Sequence, residues 1–164
     1  MKYNRLVVLA LFVSLLNFTA LANEQKLIEK TLDDFHQAAA NAEAKPYFNL
    51  LSDEAIFLGT DASERWTKAE FKAFVLPYFS KGRGWLYSPI QRNISLLGSN
   101  KVAFFDELLH STTYGTCRGS GVLVKTQNGW KISQYNLSIP MPNGIAKALV
   151  KQIKTFEHST AIKK

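Results

Sequence analysis

The stretch GTDASERWTKAEF places acidic, basic and aromatic side chains directly before a predicted helix. Asp61 lies on the loop that leaves a short predicted strand, where a carboxylate can serve as a general base. Trp66 can supply an apolar wall to a small-molecule pocket. Thr67 and Glu70 have the spacing of a capping box, with Trp66 and Phe71 placed as its hydrophobic staple. The stretch therefore predicts a stapled helix start and a pocket rim, with Asp61 as the candidate general base.

A predicted meander of strands brings a second group of polar residues together. From Trp85 onward, apolar residues alternate with a period of two, and short turns separate the runs. The four predicted strands cover about residues 85–97, 101–111, 115–126 and 129–139.

The first turn sets the pairing of two opposite charges. If Ser99 and Asn100 form the centre of this turn, Arg92 lies opposite Glu107. A slip of one residue would instead pair Arg92 with Asp106 on the other face. Cross-strand pairs of opposite charge also stabilise sheets without any further role, so a structural ion pair is the alternative. If Arg92 pairs with Glu107, its charge would lower the pKa of Glu107 and weaken it as a base.

The last turn adds amides to the same face. Centring it between Gln127 and Asn128 places Leu123 opposite Ile132, and Gly121 opposite Gln134. This face then has an apolar floor with several polar groups at one end, which is typical of a pocket. The candidate ligand-binding residues are Trp66, Arg92, Glu107, Trp130, Gln134 and Asn136.

The other face of the sheet is also rather apolar, which predicts that it is covered, for example by a second copy of the chain. Its predicted residues are Phe104, Leu108, Val122, Val124 and Leu137.

The N-terminus predicts export. Lys2 and Arg5 precede a short apolar run, and Ala20-Leu21-Ala22 has the pattern of a cleavage site, so residues 1–22 are interpreted as a signal peptide. The apolar run is too short for stable membrane insertion. Loss of two basic residues lowers the formal net charge from +7 to +5. We expect a periplasmic or secreted protein that does not meet nucleic acid.

The remaining elements are helices. Apolar spacing predicts one helix over about 24–44, ended by Pro46, and an amphipathic helix after residue 143. His36 falls in the first helix and is expected to face solvent or fill the core. The histidines have no metal-ligand spacing, so neither a metal nor another cofactor is predicted. The single cysteine, Cys117, is expected to be a small buried strand residue.

Helices followed by a long sheet predict an α+β fold. The order of elements resembles the SnoaL-like family of the nuclear-transport-factor-2-like superfamily, and its most specific pieces are GTDASERW, VAFFDE, RGSGVLVK and GWKI. The resemblance implies a cone, in which N-terminal helices pack on a curved antiparallel sheet, and a dimer through the outer sheet face. The predicted parts are a leader (1–22), the SnoaL-like domain (23–142), and a C-terminal amphipathic helix with a basic tail (143–164).

The resemblance leaves the activity open between three functions. The first is binding of a small, largely apolar ligand in a conical cavity without turnover. The second is a proton-transfer enzyme of isomerase, cyclase or dehydratase type acting on a small carbonyl compound. The third is a noncatalytic dimeric accessory domain whose cone is filled by its own aromatic side chains.

Overall fold

The computed structural model describes residues 3–98 and 100–161, with side chains for residues 21–98 and 100–159. Helices precede and follow a block of strands, which confirms the α+β prediction. The elements are α1 (Tyr3–Ala40), α2 (Ala44–Asn49), β1 (Leu51–Leu58), β2 (Arg65–Thr67), α3 (Lys68–Phe79), β3 (Ser88–Leu97), β4 (Val102–Ser111), β5 (Gly115–Thr126), β6 (Gly129–Ser138) and α4 (Ala146–Ala161).

Helix α1 packs on the sheet through the apolar side that its spacing predicts, with Ile28 and Leu32 fully buried. It ends at Ala40, earlier than expected, and Ala42 adopts a left-handed conformation with φ of 57°. Pro46 does not end α1 but lies in the first turn of α2. Proline is tolerated there because the N–H groups of that turn have no intrahelical partner.

The sheet has six strands in the order β2-β1-β6-β5-β4-β3. Strands β3 to β6 form the predicted antiparallel meander. Strand β1 pairs in parallel with β6, so the sheet is mixed, a feature that the sequence pattern did not predict. The short β2 then pairs with β1 and leads directly into α3.

The predicted register holds between β3 and β4, where Arg92 pairs with Glu107 and Ile94 with Phe105. Ser99, at the predicted centre of the connecting turn, lies outside the described residues. Between β5 and β6, Leu123 pairs with Ile132 as predicted.

A bulge then corrects the prediction for the rest of β6. Val122 pairs with Gln134, so Ser133 is an extra residue on β6, and Gly121 pairs with Tyr135 rather than Gln134. Because side chains alternate along a strand, Gln134 and Asn136 lie on the outer face, contrary to the prediction. Tyr135 and Leu137 take their place on the inner face, so Leu137 does not belong to the outer set.

Helix α3 begins as predicted. Thr67 accepts from the backbone N–H of Glu70, whose carboxylate accepts from the backbone N–H of Thr67, which completes the capping box. The rings of Trp66 and Phe71 stack with centroids 5.6 Å apart, which confirms the staple.

Cys117 is a buried free thiol in β5, as expected. The C-terminal helix α4 is amphipathic, and its apolar residues Ile145, at its start, and Ile153 are exposed. The predicted leader, residues 1–22, lies almost entirely outside the described side chains and stays a prediction. Among the residues that the structure describes, no helix combines the length and apolar character needed to cross a membrane.

Candidate functional site

A carboxylate is buried at the centre of the fold. Glu107, on β4, is only 1% exposed, yet it receives three hydrogen bonds. Its Oε1 accepts from Nε2 of His36 at 2.6 Å and from the hydroxyl of Tyr135 at 3.2 Å. Its Oε2 accepts from Nε of Arg92 at 2.8 Å. An ionised carboxylate can only accept hydrogen bonds, so Nε2 of His36 carries the hydrogen in this arrangement.

These residues, together called the Glu107 cluster (His36, Arg92, Glu107 and Tyr135), join helix α1 to three strands. Arg92 extends the cluster to the surface, since its Nη1 donates to Oδ1 of Asp33 at 2.8 Å. Gly119 leaves the space that the cluster fills. A Cβ there would lie 2.8 Å from Oε1 of Glu107 and would also meet the hydroxyl of Tyr135. The position therefore requires glycine.

Burial and partners act in opposite directions on Glu107. Burial alone would raise its pKa, but the hydrogen bonds and charges of His36 and Arg92 outweigh it, and the pKa is lowered. Tyr135 has its pKa raised well above the ordinary value, by burial and by the adjacent Glu107 charge. Glu107 therefore stays ionised and Tyr135 stays protonated. Such a pair is suited to holding the strands and helix α1 together rather than to transferring protons.

Sequence reasoning missed two members of the cluster, Tyr135, which the bulge in β6 turns inward, and His36. His36 is buried, in agreement with the core-filling expectation, but its pairing with a carboxylate 71 residues away was not predicted. A signal was present, because Ile28, Leu32 and His36 follow one another at intervals of four on the buried side of α1. A histidine in such a row needs a buried polar partner.

A separate open cavity of about 500 Å³ lies at the end of the sheet where the β4–β5 turn, β2, α3 and the loop before β3 meet. Its wall is mostly aromatic. The lining residues are Phe57, Gly59, Thr60, Glu64, Trp66, Phe71, Phe74, Tyr78, Arg83, Gly84, Trp85, Tyr87, Thr113, Tyr114 and Leu137.

Stacked rings form the floor of this cavity. Trp66 stacks with Phe71 and with Phe74, at interplanar angles of 24° and 19°. Phe71 stacks in turn on Phe57, with centroids 3.9 Å apart. Phe74 and Tyr78, on α3, are 42% and 38% exposed, and both line the cavity. The wall therefore presents flat apolar surfaces to solvent.

Beyond these rings lies a hollow of about 20 Å³, lined by His36 and Tyr135 together with residues that also line the cavity, among them Phe57, Trp85 and Tyr87. That is room for about one water molecule. The Glu107 cluster is thus separated from the cavity by a layer of aromatic side chains and this small hollow.

The structure places the residues predicted for a site in different parts of the molecule. Trp66 lines the cavity. Arg92 and Glu107 belong to the buried cluster, and Trp130 is a core residue whose Nε1 donates to Oε2 of Glu24 at 2.9 Å. Gln134 and Asn136, on the outer face, also lie away from the cavity.

Asp61, the candidate general base, lies on the exposed loop between β1 and β2 and is not part of the cavity wall. Its Oδ1 accepts from the hydroxyl and the backbone N–H of Ser63, at 2.6 Å and 2.8 Å. These hydrogen bonds lower the pKa of Asp61. A general base works best with a pKa near the working pH, so this shift is in the unfavourable direction.

Several cavity residues were not singled out from the sequence, notably Arg83, Trp85, Tyr87 and Tyr114. The available signal was the segment GRGWLY, in which a basic residue and two aromatic residues follow closely after a helix. In the part of the chain that the structure describes, no His, Cys, Asp or Glu side chains group in threes as metal ligands would.

Comparisons with known proteins agree with this architecture. Residues 28–142 match the family described as the SnoaL-like domain. No curated protein matches the chain. A crystal structure of an NTF2-like protein of unknown function from Pseudomonas putida is similar over 75% of this chain and 90% of that one, with a TM-score of 0.62 and 13% identity.

Two further similar structures carry tentative activities in their descriptions. One is a proposed dehydratase of the NTF2-like family from Streptomyces avermitilis, with a TM-score of 0.61, 10% identity, and coverage of 71% of this chain and 96% of that one. The other is a proposed aromatic ring hydroxylase from Novosphingobium aromaticivorans, with a TM-score of 0.61, 14% identity, and coverage of 74% and 92%. At such identities the likeness establishes the fold alone. From the family match and this fold, the chain belongs to the SnoaL-like family of the nuclear-transport-factor-2-like superfamily.

Proposed function

We propose that this protein is an exported binding protein that holds a small, largely apolar ligand in the aromatic cavity. The observation that carries the proposal is the open cavity of about 500 Å³ with stacked rings as its floor. Cavities of this size, with apolar walls and a few polar groups, are typical ligand sites. Trp66, Trp85 and Tyr87 would provide most of the contact.

Binding is favoured over proton-transfer catalysis by the positions of the acids. A catalytic acid or base must reach the substrate. Glu107 lies behind the aromatic layer with a lowered pKa, and Asp61 is outside the cavity wall. Glu64 does line the cavity, but its Oε2 accepts from the backbone N–H of Asp61 at 3.2 Å and so takes part in the hydrogen bonding of its own loop. The aromatic interior is the feature expected of an accessory domain, but such a domain would have no need of the open aromatic cavity at its mouth.

Export to the periplasm or outside the cell is supported by the N-terminal pattern, in which Lys2 and Arg5 precede an apolar run and Ala20-Leu21-Ala22. Cleavage after Ala22 would leave the contacts of Glu24, the second residue of the mature chain, in place. Glu24 forms an ion pair with Lys125 at 2.6 Å and accepts from Trp130 at 2.9 Å.

Native mass spectrometry of the mature protein, purified gently from the envelope fraction of its own cells, tests the binding proposal without any assumption about the ligand. The expected result is a retained small molecule of definite mass, released when the protein is denatured. A preparation that retains nothing, and that also fails to bind the aromatic probes described below, would contradict the proposal.

Replacing Trp66 with leucine should weaken binding of the neutral probe 2-naphthamide about tenfold, since aromatic stacking contributes about 0.5–1.5 kcal/mol beyond area burial. Leucine keeps an apolar side chain for the staple with Phe71. Isothermal titration calorimetry measures the change. The matched control is Trp130→Phe, which alters a tryptophan outside the cavity and should leave the affinity within about twofold. Equal effects of both changes would argue against this cavity.

We also propose that the protein forms a homodimer through the outer face of the sheet. Phe104 is 45% exposed there, beside the half-buried Leu108, Val122 and Val124. Exposed apolar patches of this kind mark protein interfaces. Phe104→Lys should convert the dimer to a monomer in analytical ultracentrifugation. Leu86→Lys changes a leucine off the sheet that is 58% exposed, and it should leave the dimer intact. A monomeric wild type would exclude this interface.

A further inference from the structure

Arg83 is a cation on the cavity wall. The guanidinium of Arg83 lies 5.5 Å from the ring centroid of Tyr78, in cation–π contact. Within the described side chains Arg83 forms no ion pair, in contrast to Arg92, which is bonded to two carboxylates. An arginine fork matches the geometry of a carboxylate, so its free donors provide a site for an anionic group on a ligand.

The backbone on both sides of Arg83 is held in place. The backbone N–H of Arg83 donates to the carbonyl oxygen of Tyr78 at 3.1 Å. Two residues later, the backbone N–H of Trp85 donates to the carbonyl oxygen of Ala39 at 3.2 Å. Gly82 adopts a left-handed conformation with φ of 67°. Gly84 lies so close to helix α1 that a Cβ there would be 2.6 Å from the carbonyl oxygen of Ala40. These constraints keep Arg83 at the rim of the cavity.

Glu64 is the carboxylate on the cavity wall. Among the described side chains it forms no ion pair with Arg83, and its Oε2 accepts from the backbone N–H of Asp61 at 3.2 Å. Tyr87, from the same segment as Arg83, also lines the cavity, and burial raises the pKa of Tyr87 to about 12, so its hydroxyl remains a neutral donor at physiological pH. The polar groups of the wall therefore include donors suited to an anion.

The apolar part of the wall favours a flat ligand. Trp66 stacks on Phe71 and Phe74 at the cavity, where Phe74 and Tyr114, from the β4–β5 turn, are exposed and also line the wall. Aromatic rings prefer offset stacking with other rings. We propose that the cavity binds planar aromatic carboxylates, with the rings of the ligand stacked on Trp66 and its carboxylate held by Arg83. This inference rests on the binding function proposed above and names the class of ligand.

A matched pair of probes tests this inference in the mature protein. 2-Naphthoate and 2-naphthamide have the same rings and nearly the same shape, but only the first carries a charge. In calorimetric titrations at pH 7 and low salt, wild type should bind the carboxylate at least about tenfold more tightly than the amide. Arg83→Gln should abolish that preference while leaving amide affinity nearly unchanged.

Arg118→Gln is the control for loss of one positive charge, since Arg118 lies exposed on β5 and outside the cavity wall. It should retain the full preference for 2-naphthoate. If wild type bound both probes equally, or if Arg83→Gln kept the preference, the assignment of aromatic carboxylates would be overturned and the binding function would stand. If neither probe bound at millimolar concentration, both the assignment of aromatic carboxylates and the proposed binding function of the cavity would be wrong.

Discussion

Replacing Glu107 with alanine is expected to lower the free energy of unfolding by about 3–5 kcal/mol, the loss found when one partner of a buried ion pair is removed. The change leaves His36, Tyr135 and the Nε of Arg92 without their common acceptor in the protein interior. It also leaves a hole beside Gly119. Urea-induced unfolding followed by circular dichroism measures the loss at pH 7.

The neighbouring residue provides the control. Asp106 is exposed on the outer face, where its Oδ1 accepts from Nδ2 of Asn93 at 3.1 Å. Asp106→Ala should therefore cost no more than about 0.5 kcal/mol, as is usual for surface substitutions. A loss below about 1 kcal/mol in Glu107→Ala would mean that the cluster does not tie the helix to the sheet.

The pH dependence gives the same prediction a second readout. The pKa of Glu107 is below its ordinary value of 4.5 in the folded protein, so the unfolded chain takes up its proton first as the pH falls. The stability that Glu107 contributes is complete above pH 4.5 and is lost as the pH falls through the folded pKa. The difference between wild type and Glu107→Ala should therefore shrink below pH 4.5. A difference that grows on acidification would have the wrong sign.

The Arg92–Glu107 pair shows which part of the site the sequence could predict. A short turn fixes how many residues separate two antiparallel partners, and the alternation of apolar residues then decides which faces they occupy. Both rules are local, and both hold between β3 and β4. The helix cap at Thr67 was predictable for the same reason, because its donors and acceptors lie within three residues of each other.

Ser133 shows where such local rules fail. The bulge adds one residue to β6, so every side chain after it lies on the face opposite to the predicted one. Tyr135 and Leu137 therefore face inward, where Gln134 and Asn136 were predicted. Nothing in the alternation of GWKISQYNLS marks that position. A bulge is stabilised by what packs on both sides of it, so its location depends on the folded sheet.

The other residues that the sequence did not place are positioned by contacts between elements far apart in the chain. His36 meets Glu107 only once helix α1 crosses the sheet, and Arg83 reaches the cavity only because its loop packs against the end of that helix. Periodicity identifies the buried side of each element but not which elements meet. The fold class was therefore accessible from the sequence, whereas the cavity wall was not, apart from Trp66.

Gly84 combines these long-range constraints, and replacing it with alanine should damage stability and binding together. The added Cβ would meet the carbonyl oxygens of Ala39 and Ala40, which belong to backbone and cannot rotate away. The loop must move, which weakens the hydrogen bond from Trp85 to Ala39. We expect a loss of about 1–3 kcal/mol in the free energy of unfolding, as for other overpacked sites. Displacement of Trp85 and Arg83 should also reduce the affinity for 2-naphthoate severalfold.

Two glycines separate the effect of this contact from the general effect of a methyl group. A Cβ at Gly144 would meet nothing within 4 Å, so Gly144→Ala should leave both stability and binding unchanged. Gly82 has equally open surroundings but a φ of 67°, so Gly82→Ala should cost about 1–2 kcal/mol through backbone strain alone. Urea unfolding and calorimetry of the three variants distinguish these causes. If Gly84→Ala behaved like Gly144→Ala, the loop would be free to move, and Arg83 would not be held at the cavity by its packing on helix α1.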